Sequence, residues 1–180
     1  MSRQSLNGNS KSLPRNRLVV ILDSVRSLYN VGSIFRTADA FGVEHLYLAG
    51  LTGAPDDALN RQRIHKTALG AEETVPWTKV DSISTLVERL KDERFTIVAL
   101  EQTPSAQSLV SFKPTERVAL VLGHELYGVN EGALACADQS VQIPMLGQKE
   151  SLNVSVAFGI ACAWLRYLPR RQAGGSVSRQ

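Results

Sequence analysis

Apolar residues along this chain follow two rhythms. Unbroken runs such as Arg17-Leu-Val-Val-Ile-Leu22, Phe95-Thr-Ile-Val-Ala-Leu100 and Arg117-Val-Ala-Leu-Val-Leu122 have the length and β-branched content of strands buried on both faces of a parallel sheet. Between them, apolar positions fall at helical spacing. Over residues 30–41, Ile34, Phe35, Ala38 and Phe41 form one stripe that Gly42 ends, and residues 81–92 repeat the pattern. Further strands are predicted over 45–49, over 74–77 (short and at an edge, because of Pro76) and over 140–143. Further helices are predicted over 56–69, 129–137 and 151–168, and a long polar connection over 101–114. Alternation of this kind specifies an α/β domain, a mostly parallel sheet with helices on both faces.

In such folds ligands gather beyond the carboxyl ends of the strands. Three segments occupy that rim: 23–36, 123–128 and 144–153. In the last, a strand end runs through a glycine-containing polar loop into a helix expected to start at Ser151. Ser151 is a natural N-cap and Asn153 lies in the first turn, so backbone N–H groups and two polar side chains face one pocket at the positive helix end. That pocket suits the carboxylate or hydroxyls of a small polar ligand; an ordinary capped helix after a turn uses the same residues. In 123–128, Gly123 permits a sharp turn, Glu125 puts a carboxylate on the rim and Gly128 opens the next helix. In the first segment Asn30 can cap a helix. Arg36 emerges under two turns later, near the same side, where its planar fork suits a phosphate, or where its stem covers the core.

Several chemistries are excluded by what is missing. Gly123 to Gly128 has the glycine spacing of a phosphate loop but is followed by Val129-Asn130 instead of Lys-Ser/Thr. No G-x-G-x-x-G follows the first strand and no G-x-S-x-G occurs, which disfavours a nucleotide-dependent oxidoreductase and a hydrolase elbow. His45, His65 and His124 are scattered and form no zinc-type cluster, so no metal is expected.

The 180 residues, 43% hydrophobic and 21% charged, fit one globular domain. No apolar run is long enough for a bilayer and the first ten residues lack the apolar centre of a signal peptide, so a cytosolic protein without membrane contact is expected. Cys136 and Cys162, each alone in small apolar surroundings, read as free thiols in a reducing compartment. The net charge of +3 is uneven. Arg3, Lys11, Arg15 and Arg17 precede any acid, and Arg166, Arg170, Arg171 and Arg179 follow the last one, leaving 12 basic and 17 acidic residues between. Residues 1–16 and 169–180 therefore read as flexible basic arms around a domain at 17–168, suited to a nucleic-acid backbone or serving as solubilising tails. Arg61, Arg63 and Lys66 add an internal basic cluster to the polyanion reading.

Three stretches in order, Asn30-Val-Gly-Ser-Ile-Phe-Arg36, Leu122-Gly-His-Glu-Leu-Tyr-Gly128, and Ile143-Pro-Met-Leu-Gly147 with Ser151-Leu-Asn-Val-Ser-Val-Ala157, resemble the three signature motifs of the SpoU (TrmH-like) branch of the SPOUT RNA methyltransferases. Lys66-Thr-Ala-Leu-Gly-Ala-Glu72 resembles the family's segment between its first two motifs. The resemblance spans residues 17–168. It implies S-adenosylmethionine as methyl donor, transfer to a ribose 2′-hydroxyl in tRNA or rRNA, a homodimer, and a SPOUT-type α/β knot in which the C-terminal part threads a loop as a trefoil. By the same resemblance the backbone around Leu100 to Thr103, Gly123, Ile143, Met145 and Leu152 cradles the cofactor, and Asn30, Arg36, Glu125, Ser151 and Asn153 line the catalytic pocket. Where the family often has Asn between the Gly and Glu of the second motif, this chain has His124.

Methyl transfer from a sulfonium to an alcohol is an in-line displacement, so alignment supplies much of the rate. A guanidinium with a pKa above about 12 is a poor base, so Arg36 is expected to orient the hydroxyl and its phosphate, with proton removal in a phosphate-coupled state as the alternative. Ser151 and Asn153 are expected to position the hydroxyl, and Glu125 to hold Arg36 or a backbone group. A tRNA substrate is expected ahead of rRNA, on the reading that no separate RNA-binding domain precedes the catalytic one and that the basic ends serve as grips instead, with rRNA a close second. A non-catalytic RNA-binding protein of the same fold is the rival of another class.

Overall fold

The computed structural model describes residues 16–167. In chain order the elements are β1 (Arg17–Asp23), α1 (Leu28–Phe41), β2 (His45–Ala49), α2 (Ala58–Ala68), α3 (Ala71–Thr74), β3 (Trp77–Val80), α4 (Ile83–Asp92), β4 (Thr96–Leu100), β5 (Gln107–Ser108), β6 (Arg117–Leu122), α5 (Glu131–Cys136), β7 (Gln139–Gln142) and α6 (Val154–Tyr167). The strands form one sheet in the order β3-β2-β1-β6-β4-β7-β5, and every neighbouring pair is parallel.

The unbroken apolar runs serve both faces because side chains alternate along a strand. From β1, Leu18, Val20 and Leu22 join Phe35 of α1 and Phe158, Ala161 and Leu165 of α6 in one core. Val19 and Ile21 point the other way and meet Leu86, Val87 and Leu90 of α4. Phe35 and Phe158 are fully buried, each stabilising the fold by about 1.5–3 kcal/mol. Between α1 and α2 the backbones nearly touch: a Cβ on Gly32 would lie 2.2 Å from Thr67 Oγ1 and 2.3 Å from the Ile64 carbonyl oxygen. Thr67 Oγ1 also donates to the Tyr29 carbonyl at 2.9 Å, so α2 fixes the first turn of α1, the turn that carries Asn30.

Several expected boundaries move. The strand expected over 74–77 is replaced by the single turn α3, and β3 starts at Trp77. The buried Glu72 side chain favours that turn, accepting the Gly70 N–H at 3.0 Å and meeting His65 Nδ1 at 2.6 Å. The polar connection 101–114 contains β5, two polar residues without an apolar signature that add a strand beside β7. Ser27 and not Asn30 caps α1, accepting the Asn30 N–H at 3.3 Å. Asn130 caps α5, so that helix opens after it instead of at Val129. Gly42 does end α1, in the left-handed conformation at φ 64°.

Two cations expected at the ends belong to the fold. Arg17 pairs with Glu44 at 2.9 Å and lies over the Phe95 ring. Arg166 is buried and donates to the carbonyls of Asn16 and Gly42. Asn16 is itself buried, so it is packed with the domain instead of standing in the arm assigned to 1–16. The rest of the two expected arms, and Leu168, lie outside the described residues. Among the described residues no helix is long and apolar enough to cross a membrane, and no three His, Cys, Asp or Glu side chains converge where they could hold a metal ion.

Candidate active site

A cavity opens where β4, β6 and β7 end. Its walls are Leu100, Glu101 and Gln102 after β4; Leu122 to Leu126 and Gly128 after β6; and Gln142, Ile143, Met145, Ser151, Leu152, Val154 and Ala157 from β7 into α6. Of the residues expected to hold a cofactor, Leu100, Gly123, Ile143, Met145 and Leu152 line it, and Thr103 does not. Thr103 instead closes a turn towards β5, its carbonyl taking the Ala106 N–H at 3.0 Å and its hydroxyl bonding Ser105 at 3.3 Å. Among the described residues the lining carries two carboxylates, Glu101 and Glu125, and neither lysine nor arginine.

The middle wall is a tight hairpin. His124 N–H donates to the Gly128 carbonyl and Gly128 N–H to the His124 carbonyl, both at 2.9 Å. Gly123 must be glycine, because a Cβ there would lie 2.1 Å from Gly128 C and Val129 N. Gly128, at φ 69°, faces the Glu101 carboxylate, which a Cβ would approach to 2.1 Å. Glu101 Oε2 accepts the Val129 N–H at 2.7 Å and Oε1 the Gln102 N–H at 2.9 Å. Each oxygen keeps lone-pair capacity for a further donor.

One hydrogen-bond chain joins the three rim segments. Glu125 Oε1 accepts the Ser27 N–H at 2.9 Å and Asn30 Nδ2 at 3.0 Å, while Oε2 accepts the Arg26 N–H at 3.1 Å. Asn30 Oδ1 accepts from Asn153 Nδ2 at 3.0 Å. Asn153 Oδ1 then caps α6, taking the Ser155 N–H at 2.9 Å and the Ser155 hydroxyl at 2.6 Å. The amide orientations follow from chemistry. An ionised carboxylate only accepts, so Asn30 must turn its NH₂ to Glu125 and its oxygen to Asn153, which leaves the Asn153 oxygen for the helix. Burial pushes the Glu125 carboxyl up, but the N–H groups of Ser27, Arg26 and Glu125 itself and the Asn30 amide outweigh it and hold the carboxyl below its usual range.

Ser151 lines the cavity but does not cap the helix; α6 begins at Val154 because Asn153 is its cap. Of the two partners expected for Glu125, the structure gives the backbone groups, together with Asn30, and not Arg36. Arg36 is exposed on α1 and lies outside the cavity lining. Six positions from Asn30 at about 100° each set the two about 120° apart around the helix, so they do not share a side. In the basic cluster, Arg61 donates to the Pro55 carbonyl from Nε at 3.2 Å and from Nη2 at 3.1 Å, while Arg63 and Lys66 stand exposed on α2.

Only backbone was expected around Glu101 and Gln102, and no part was assigned to the Glu101 side chain, to Gln142 or to Asp23. Buried Asp23, at the end of β1, accepts the Asn130 N–H at 3.2 Å and so ties the first rim segment to the cap of α5. The signal was available in the position of each acid immediately after an apolar strand run.

Known proteins resemble this chain in sequence and in fold. A profile of the SpoU rRNA Methylase family matches residues 17–163. The chain is 34% identical over 167 residues to the 23S rRNA (guanosine-2'-O-)-methyltransferase RlmB of Nitrosomonas europaea, covering 92% of this chain and 62% of that protein. It thus spans less than two thirds of that relative's length. It is 33% identical over 143 residues to the tRNA (guanosine(18)-2'-O)-methyltransferase of Thermus thermophilus, covering 79% of this chain and 71% of that one. Its fold superposes on the SpoU methyltransferase AviRb from Streptomyces viridochromogenes, solved with the cofactor AdoMet, at a TM-score of 0.74 and 25% identity, over 84% of this chain and 57% of that one. A profile match across nearly the whole described domain, over a parallel sheet whose three rim segments meet in one hydrogen-bonded site, shows that this chain belongs to the SpoU rRNA methylase family.

Proposed function

We propose that this protein is an S-adenosylmethionine-dependent RNA methyltransferase that modifies a ribose 2′-hydroxyl. The observation that carries the reading is the Glu125–Asn30–Asn153 chain at the mouth of a cavity with apolar walls and two carboxylates. When bound, S-adenosylmethionine supplies an electrophilic methyl group on a cationic sulfonium. The cavity's chemistry fits it. Leu100, Leu122, Ile143, Met145 and Leu152 offer apolar surface, Glu101 and Glu125 offer negative charge, and a lining that has neither lysine nor arginine among the described residues is a poor host for a nucleotide phosphate. Relatives act on tRNA and on rRNA; of the two, tRNA is the substrate proposed.

The chain's own residues divide the work by position. Asn30, Ser151 and Asn153 place the substrate hydroxyl; the Ser151 hydroxyl has no described protein partner. Glu125 is a positioning residue, holding the Asn30 amide and the backbone ahead of α1. Arg36, outside the cavity lining, binds the phosphate beside the reacting ribose and orients the hydroxyl through it, a task for a permanent cation. Arg63 and Lys66 contact the RNA backbone further out, with Arg61 holding the Pro55 carbonyl beside them. A homodimer and a knotted C-terminal part complete the reading. Val156, Ile160 and Tyr167 leave 42–59% of their surface exposed along one face of α6, an apolar stripe suited to a second copy. Arg36 borders that helix through its neighbour Thr37, which Gly159 of α6 approaches. An RNA substrate and two free thiols go with the cytoplasm.

Calorimetry with S-adenosylmethionine, S-adenosylhomocysteine and NAD tests the cofactor assignment. One site per chain for the first two and none for NAD is expected. A folded protein that binds neither sulfur ligand at millimolar concentration refutes it.

A further inference from the structure

We propose that Tyr127 and His124, at the tip of the hairpin after β6, form a stacking platform for a nucleobase of the RNA, next to the base's own ribose at the cavity. The proposal rests on the methyltransferase reading and adds to it the group that receives the base. Tyr127 is 83% and Leu126 82% exposed, large apolar surface at the rim of a polar-mouthed cavity. The Tyr127 ring leans on His124, with centroids 4.8 Å apart and planes at 42°. His124 lines the cavity and Tyr127 does not, so the two rings run from its mouth outward.

This tip is held in place. The paired His124 and Gly128 backbone bonds close it, and the Leu126 N–H donates to His124 Nδ1 at 3.0 Å. Glu125, between the two rings in sequence, is bound by Arg26, Ser27 and Asn30 on the inward side. With Nδ1 accepting an amide N–H, the proton of a neutral His124 ring is assigned to Nε2, which has no described partner and can donate to a base edge. The 2′-hydroxyl and the base sit on adjacent ribose carbons. A hydroxyl delivered to Asn30, Ser151 and Asn153 therefore brings its base to the rim that Tyr127 and His124 occupy. An aromatic face there receives any base, because every base has a π-face.

The test measures binding of unmodified tRNA and rRNA transcripts, with S-adenosylhomocysteine present, by wild type and by the variants Tyr127→Ala, Tyr127→Phe and Tyr127→Trp. Tyr127→Ala is expected to weaken RNA binding about 5- to 150-fold, the loss of one base–aromatic stack. S-adenosylhomocysteine affinity and the slope of log affinity against log salt stay unchanged, since no charge is lost. Tyr127→Phe and Tyr127→Trp keep wild-type affinity. Wild-type binding by Tyr127→Ala overturns the platform and leaves the methyltransferase reading intact, and a Phe variant as weak as the Ala variant replaces stacking with a phenol contact. Conversion of a dimer to a monomer by Tyr127→Ala in sedimentation reassigns the rings to an interface between copies. If wild type binds S-adenosylhomocysteine but neither RNA, the RNA reading fails and the platform fails with it.

Discussion

Gly123→Ala tests whether the hairpin after β6 organises the site. The added Cβ would lie 2.1 Å from Gly128 C and Val129 N and 2.3 Å from Gly128 O, all backbone, where ordinary contact begins at 3.4 Å. The end of β6 and the closing residues of the hairpin must therefore part by roughly 1 Å, the difference that restores van der Waals contact. That shift lengthens the bonds that hold the hairpin. Glu125 to Ser27 at 2.9 Å and Glu101 to Val129 at 2.7 Å move towards or past the hydrogen-bond limit. The strain costs about 1–3 kcal/mol, a melting temperature lower by about 2–12 °C for a chain this long. Misplacing catalytic groups by about 1 Å costs on the order of 100-fold in turnover. Gly147→Ala is the control, because a Cβ there meets nothing within 4 Å. Thermal unfolding and methyl transfer are measured side by side for both variants. A Gly123→Ala protein that melts with Gly147→Ala and keeps wild-type turnover would refute the account of the hairpin.

Three further outcomes are expected. Arg36→Ala should cut turnover while leaving S-adenosylmethionine affinity unchanged, since Arg36 lies outside the cavity lining; wild-type turnover removes Arg36 from the reaction. Glu125 has a folded pKa below its unfolded value, so the stability it adds is present above the ordinary carboxylate pKa and is lost as pH falls through the folded one. The stability gap between wild type and Glu125→Gln in urea should shrink on acidification below that range, and a gap constant with pH would contradict the linkage. Burial pushes the Cys162 thiol up to about 12 against the opposing charge of Arg166, leaving roughly one thiolate in ten thousand at pH 8. Iodoacetamide should therefore modify half-buried Cys136 and spare Cys162 until the protein unfolds; equal rates in the native state, read by mass spectrometry, would show that Cys162 is not so enclosed.

The sheet was legible because its strands are buried on both faces. Leu18 to Leu22 could only be a strand covered twice, and it is. Short elements were not legible. Gln107 and Ser108 carry no apolar signal, and β5 exists because β7 offers it a pairing edge. The α3 turn depends on Glu72 reaching back to Gly70 and His65, a tertiary arrangement that outweighed the strand-like reading of Thr74 to Trp77. Asn30, Glu125 and Asn153 were identifiable as rim residues, but their order along one hydrogen-bond chain was not. It depends on α2 fixing the first turn of α1 through Gly32 and Thr67, and on Asn153 rather than Ser151 capping α6. Arg36 shows the limit of helical bookkeeping. Its spacing from Asn30 was read as one side of a helix, and geometry turns it elsewhere.

The most direct measurement of the central claim is nucleoside mass spectrometry after incubating the protein with unmodified tRNA or rRNA transcripts and S-adenosylmethionine carrying a deuterated methyl group. A labelled 2′-O-methyl nucleoside, with the added mass on the sugar fragment, is the predicted result. Label on a base fragment would place the chemistry at another acceptor. No label in either RNA, from a protein that binds S-adenosylmethionine, would contradict the proposal that the Glu125–Asn30–Asn153 site transfers methyl groups to ribose.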